Sequence, residues 1–239
     1  IKGMVVNGTC ENDWPKVLDL ARQHRSILPS FGCHPWYLDR RTPDWEDELK
    51  RHLDAVPAAV GEIGLDRRMK DFNSDLQAEM FCLQLGIAAE RNLPVTIHCL
   101  KAWGQLINLL ESNPLPKRGF LLHSYSGSAE MVHRFAELGA YFSISGYFAH
   151  ERKAKQLEVF RLIPSDRLLI ETDAPDMAPP EPLIDFPIPN SSPEQPLNHP
   201  ANLRSIYHFT GSLLDVTNEA IAIRVAENFN RLFGSSDGG

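Results

Sequence analysis

Five residues carry most of the chemistry open to this sequence, and each sits in or just after a short apolar run. They are His34 in SFGCHP, Glu62 in AVGEIG, His98 in PVTIHC, His123 in GFLLHS and Asp173 in RLLIETD. Imidazole nitrogens and carboxylate oxygens are the donors that a borderline divalent cation takes. A cation held this way acidifies a bound water and polarises a phosphoryl or carbonyl oxygen. Taken singly, each residue has a plainer explanation. A histidine after an apolar strand is commonly a hydrogen-bonded core residue, Asp173 could cap a turn, and Glu62 could pair with Arg67 or Arg68. One metal centre accounts for Glu62, His98, His123 and Asp173 together. Glu62 is the least ordinary of them, because it lies in the run VGEIG, between Gly61 and Gly64. Glycine adds no packing to a strand, and an acid aimed at a core has to be compensated.

The elements that would position these residues follow from the hydrophobic pattern. Short β-branched runs alternate with longer amphipathic ones, the signature of βα units around a parallel sheet. Strands are predicted over 3–7, 27–32, 59–63, 94–98, 120–123, 141–145 and 168–171. Helices are predicted over 13–24, 44–53, 74–90, 102–110, 128–137 and 153–162, with two more over 201–210 and 218–233. In a parallel barrel the rim at the carboxyl ends of the strands builds the active site, which is where the five residues would gather. A doubly wound sheet competes, but its first βα turn should carry a glycine-rich phosphate loop, and VVNGTCENDW offers only Gly8. The fold class expected is therefore an α/β (β/α)8 TIM-type barrel. Seven strands are counted, and the chain opens at Ile1 directly on a strand-like run, so the first βα unit is expected to be absent from the sequence. One hydrolase domain is expected over residues 1–239. Between Pro175 and Pro200 the chain turns proline-rich, reading either as a functional lid or as an excursion pinned by its prolines.

Composition narrows the partners. A net charge of −7 over 239 residues disfavours a broad non-specific nucleic-acid binder, so any nucleic acid needs a local basic patch or metal ions. Cys10, Cys33, Cys82 and Cys99 form no C-x-x-C pair, which fits free thiols in a reducing compartment. No run reaches the roughly 18 apolar residues of a membrane span, and no leader pattern opens the chain, so a cytoplasmic location away from membranes is expected.

The motifs GEIGLD, PVTIHC, HSYSG and LLIETDAP, in that order and followed by NHPANL, resemble the TatD family of metal-dependent hydrolases over about residues 2–234. The resemblance implies a (β/α)8 barrel and hydrolytic activity, mostly deoxyribonuclease or 3′ to 5′ exonuclease action, with DNA or another phosphodiester as substrate. It implies one or two divalent ions, Mg, Mn or Zn, with two per subunit expected. By position, Glu62 would bridge two metals, His98 and His123 would complete one, and Asp173 would belong to the other and act with Glu62 in catalysis by holding the attacking water. His34, in CHPW, matches a family histidine near the substrate phosphate.

Two departures qualify the match. The resemblance includes an opening Asp-x-His-x-His motif, and no His-x-His occurs in this sequence. By ligand count one ion keeps three protein ligands and the other keeps Glu62 and Asp173. Where the family often carries arginine after the fifth-strand histidine, this chain has Lys101, a point charge without arginine's fork. Arg67 and Arg68 replace a common aromatic and, with Lys70, would make a small basic rim. His34, Lys101, Arg67 and Arg68 are thus the candidates to hold phosphate oxygens, while Trp36 or Tyr147 could stack a base or simply pack. Two alternatives stand: an amidohydrolase acting on a small amide, ester or lactone, and a non-catalytic barrel with an incomplete metal site.

Overall fold

A computed structural model describes residues 1–70, 73–189 and 196–234. The chain forms two compact units, the first built from 1–123 and 137–140 together with residues from 232 on, the second from 124–136 and 141–231.

In the first unit, β1 (Met4–Asn7), β2 (Ile27–Phe31), β3 (Ala59–Asp66), β4 (Val95–Leu100) and β5 (Phe120–Leu122) pair in sequence order, every pair parallel. The crossovers are α1 (Trp14–Gln23), α2 (Trp45–Ala55), α3 (Ser74–Arg91) and α4 (Trp103–Ser112). Every strand and helix expected in this region is present. Two strands run further than predicted: β3 continues to Asp66 and β4 to Leu100, so Glu62 and His98 lie within strands rather than at their ends. The added residues are packed rather than solvated, since Leu65, Asp66 and Cys99 are buried.

The longest crossover, α3, carries two polar residues on its packed face. Gln77 and Gln84 are buried with Met80, Phe81 and Ala88, a spacing that places them on one side of the helix. Each amide grips the backbone of one residue, Asp66 at the end of β3 or Cys33 two residues past β2. The Gln77 Oε1 accepts from Asp66 N at 2.8 Å while its Nε2 donates to Asp66 O at 3.3 Å. Gln84 does the same at Cys33, at 2.7 and 3.3 Å. Buried amides need such partners, and here the partners are the chain segments that bear the site.

In the second unit, α5 (Ala129–Glu137) leads into β6 (Ala140–Ser145), which pairs in parallel with β7 (Leu168–Glu171) across α6 (Ala154–Phe160). Helices α7 (Leu203–Leu214) and α8 (Asn218–Phe233) follow the proline-rich stretch. Residues 190–195 of that stretch lie outside the described residues. The rest is held by asparagines more than by its prolines. Asn198 donates to Thr172 O at 2.7 Å, its backbone N–H reaches Pro175 O at 2.8 Å, and Asn202 exchanges hydrogen bonds with both Phe186 backbone groups. These two asparagines are the ends of NHPAN, so the motif ties the excursion back to the segment after β7.

No helix among the described residues is long and apolar enough to cross a membrane, and all four cysteines are free thiols.

Candidate metal centre

The site begins with an irregularity in β3. Between the pairs Val60↔Val95 and Ile63↔Ile97, β3 spends three steps where β4 spends two, a bulge centred on Gly61 and Glu62. Bulges re-aim side chains, and this one redirects Glu62. The flanking glycines are required by contact with β4. A Cβ on Gly64 would stand 1.9 Å from His98 O, and one on Gly61 would stand 2.8 Å from Thr96 O. A methyl group at either position would push β3 off the strand that carries His98.

Glu62 then receives three imidazoles on one oxygen. Its Oε1 lies 2.8 Å from His123 Nε2, 3.1 Å from His98 Nδ1 and 3.5 Å from His34 Nε2, with the carboxylate side chain only 13% exposed. Burial alone would raise this carboxyl, but the His123 charge and the hydrogen bonds from His123, His34 and His98 outweigh it and hold Glu62 well below the usual carboxylate range. The expectation that an acid here must be compensated is met by these imidazoles.

The imidazoles are not equivalent. His34, Glu62 and His98 offer donor atoms that all lie within 4.8 Å of one another. His34, however, begins the turn Pro35–Arg40 and its Nδ1 accepts the Trp36 backbone N–H at 3.2 Å. Burial lowers its pKa and Glu62 only partly opposes this, so the ring is neutral near pH 7 with its proton on Nε2, facing Glu62. That tautomer, assigned from its partners, makes His34 a donor rather than a ligand.

His98 shows the opposite arrangement. Its Nε2 lies 3.3 Å from Asp66 Oδ2, and Asp66 also accepts the Trp36 indole N–H at 2.7 Å and the Arg68 backbone N–H at 2.8 Å. Burial would lower the His98 pKa, yet Asp66 and Glu62 raise it. For Asp66, burial is likewise outweighed by hydrogen bonds from His98, Trp36 and Arg68, leaving its carboxyl at about 2. With Nε2–H given to Asp66, Nδ1 is the atom that His98 turns toward His123 Nε2, 3.2 Å away, and toward Glu62, to which it donates a proton that a cation would displace. A carboxylate behind a ligating imidazole is the usual way a metal ligand is oriented.

These three donors fit a cation. Glu62 Oε1, His98 Nδ1 and His123 Nε2 are separated pairwise by 2.8, 3.1 and 3.2 Å. Tetrahedral ligands on bonds of about 2.05 Å lie about 3.3 Å apart. A shift of a few tenths of an ångström separates the two arrangements.

The sequence-predicted residues thus divide. His34, Glu62, His98 and His123 come together. Arg67 and Arg68 follow β3 and Lys101 follows β4, all three exposed, and the Arg67 backbone N–H reaches Leu100 O at 3.0 Å. Asp173 belongs to the second unit, two residues past β7, with a left-handed backbone at φ 59°. Two contributors went unnoticed in the sequence. Asp66 was in plain view as the last letter of GEIGLD. Glu171, in ETD, accepts from Ser124 N at 2.7 Å and from the Ser143 hydroxyl at 2.6 Å, fixing the chain just after His123.

The sequence profile described as TatD related DNase matches residues 1–234. The chain belongs to the TatD family. Among TatD relatives, the 3′-5′ ssDNA/RNA exonuclease TatD of Shigella flexneri serotype 5b is 34% identical over 88% of this chain and 81% of its own length. A metal-dependent hydrolase of Bacillus subtilis strain 168, YabD, is 30% identical over 98% of this chain and 88% of its own. In structure, the TatD homologue YjjV of Escherichia coli K12 superposes with a TM-score of 0.82 at 29% identity, covering 98% of this chain and 87% of that one. The fold is of the TIM type, as the strand pattern predicted, and the chain is a metal-dependent hydrolase by family.

Proposed function

We propose that this TatD-family chain hydrolyses phosphodiester bonds of DNA or RNA, removing nucleotides from a strand end with a metal-activated water. The observation that carries this reading is the meeting of three imidazole nitrogens on one oxygen of Glu62. Relatives named as single-strand exonucleases supply the substrate class.

Glu62, His98 and His123 would hold the cation. When bound, it supplies a lowered water pKa and a positive charge for the phosphoryl oxygens. The protein's own groups do the rest. Asp66 keeps the His98 proton on Nε2 and so keeps Nδ1 available. His34 donates from Nε2, and once Glu62 is engaged that proton is free for a non-bridging phosphate oxygen. Asp173 accepts a proton from the attacking water, and Arg67, Arg68 and Lys101 offset phosphate charge at the exposed rim. Two ions per chain would be held, with Asp173 and Glu62 as the protein groups available to the second.

The test is an assay of 3′-labelled and 5′-labelled single-stranded DNA and RNA beside a panel of small amides, each with Mg²⁺, Mn²⁺ or Zn²⁺. Stepwise shortening from the 3′ end is expected. Amide turnover without nuclease activity under all three ions would replace this reading with the amidohydrolase one. Asp173→Asn is expected to retain most of the metal and to lose about 10²- to 10⁴-fold in rate. An unchanged rate would remove Asp173 as the base.

A further inference from the structure

A cavity of about 580 Å³ lies in the first unit beside the histidine cluster, walled by Trp36, Asp66, Arg68, Met69, Lys70 and Leu76, with Asp39 also in its lining. The volume falls within the roughly 300–1,000 Å³ of small-ligand sites. We propose that it is a subsite for one nucleotide of the substrate strand, whose base stacks on Trp36 and whose phosphate lies toward Arg68 and Lys70. The proposal rests on the nucleolytic reading above and assigns a place to the part of the strand that does not react.

Three features select a nucleotide. Trp36 is 46% exposed, yet it is not a loose surface residue. Its indole N–H is fixed at 2.7 Å to Asp66, a residue only 1% exposed, and its ring stands edge-on to His34 at a centroid distance of 5.0 Å. A large aromatic held open by a buried partner is a stacking platform, and stacking on such rings is how single strands are bound irrespective of base. Met69 and Leu76 give the cavity apolar surface, while Arg68, whose Nε lies 3.9 Å from Asp66 Oδ1, and Lys70 supply cations in the same lining. Of the two carboxylates, Asp66 is already engaged by Trp36, His98 and the Arg68 backbone. Asp39 is exposed and opposes a second phosphate, which limits the subsite to one nucleotide.

The position also connects to the reaction. Trp36 bonds Asp66 and Asp66 bonds His98, so one carboxylate stands between the indole that carries the base and the nearest candidate metal ligand, His98, which in turn lies against Glu62. A nucleotide anchored there would hold a neighbouring phosphodiester close to the cation, converting weak sequence-independent stacking into orientation at the reacting phosphorus.

The experiment measures binding without turnover. The full chain in EDTA is titrated with a single-stranded thymidine trinucleotide and with an abasic trinucleotide of equal charge, reading tryptophan fluorescence against Trp36→Phe and Kd by anisotropy. The base-bearing strand should quench emission that Trp36→Phe lacks. Its Kd should rise about 5- to 150-fold in Trp36→Ala and stay near wild type in Trp36→Phe. The abasic strand should bind wild type as weakly as the base-bearing strand binds Trp36→Ala. Arg68→Ala and Lys70→Ala should each reduce the salt slope of log K by about 1. Equal binding of the two strands to wild type, or an unchanged Kd in Trp36→Ala, would overturn the subsite. Since no metal is present, loss of nuclease activity in the separate assay with intact Trp36-dependent binding would sink the catalytic reading and leave this one standing.

Discussion

Two glutamates on strands of this protein, Glu62 on β3 and Glu171 on β7, are satisfied in different ways. Around Glu62 the donors are imidazoles, and two of them, His98 and His123, can give up the proton facing Glu62 and offer a lone pair instead. Around Glu171 they include a backbone N–H and a serine hydroxyl, neither of which yields to a cation at ordinary pH. The first carboxylate is held by partners that can be exchanged for a metal, and the second by partners that tie down the chain. Burial and charge alone would not separate them; the chemistry of the partner does.

The comparison breaks most visibly at Glu62. Glu62→Ala is expected to lower turnover by about 10³-fold or more, because several kcal/mol of charge stabilisation would depend on the ion it is proposed to hold. Metal content by elemental analysis should fall with it, and turnover at the wild-type rate would contradict the role. A smaller effect is expected one step outward. Asp66→Asn leaves His98 with a weaker orienting partner, and calorimetric titration should show metal binding weakened about 10- to 100-fold. Unaltered affinity would mean that His98 is held by packing alone.

Acid stability sharpens the same contact. The Asp66 carboxyl has a pKa of about 2 in the folded protein against 3.8 as reference. Its folded value is depressed, so its contribution is complete above about pH 4 and is lost as pH falls through about 2. The difference corresponds to about 2 kcal/mol at neutral pH. Urea-unfolding free energies of wild type and Asp66→Asn should therefore converge between pH 5 and pH 2, and a constant gap would show that these hydrogen bonds do not hold the carboxylate. The mildest outcome is expected at the other glutamate. Glu171→Gln sets an amide N–H against donors and should cost about 1–2 kcal/mol of unfolding free energy while leaving metal bound at Glu62, His98 and His123 unchanged. Metal loss in that variant would erase the distinction between the two carboxylates.

Much of this architecture was legible in the letters because βα units write themselves as alternating periods, and the seven strands fall within a few residues of where β-branched runs put them. The site was legible as residue types: His34, Glu62, His98 and His123 do converge. What stayed hidden is whatever depends on a partner far along the chain. The bulge at Gly61 and Glu62 exists only relative to β4. Asp66 acquires its purpose from His98 and Trp36, each about 30 positions away, and it reads locally as an ordinary strand-end acid. The clasp of Gln84 on Cys33 spans 51 positions. The proline-rich stretch misled in a different sense, since its prolines drew attention while Asn198 and Asn202 do the tethering.

Gln77 and Gln84 have a consequence beyond satisfying their own amides. Because one rigid rod holds both the residue before His34 and the residue after Leu65, any misplacement of that rod is shared by the two walls and leaves their mutual spacing intact. The error reappears as a change in distance to His98, which rides on a different strand. Substitutions of Met80 or Phe81, on the packed face of the rod itself, would therefore detune the enzyme without touching any residue of the site.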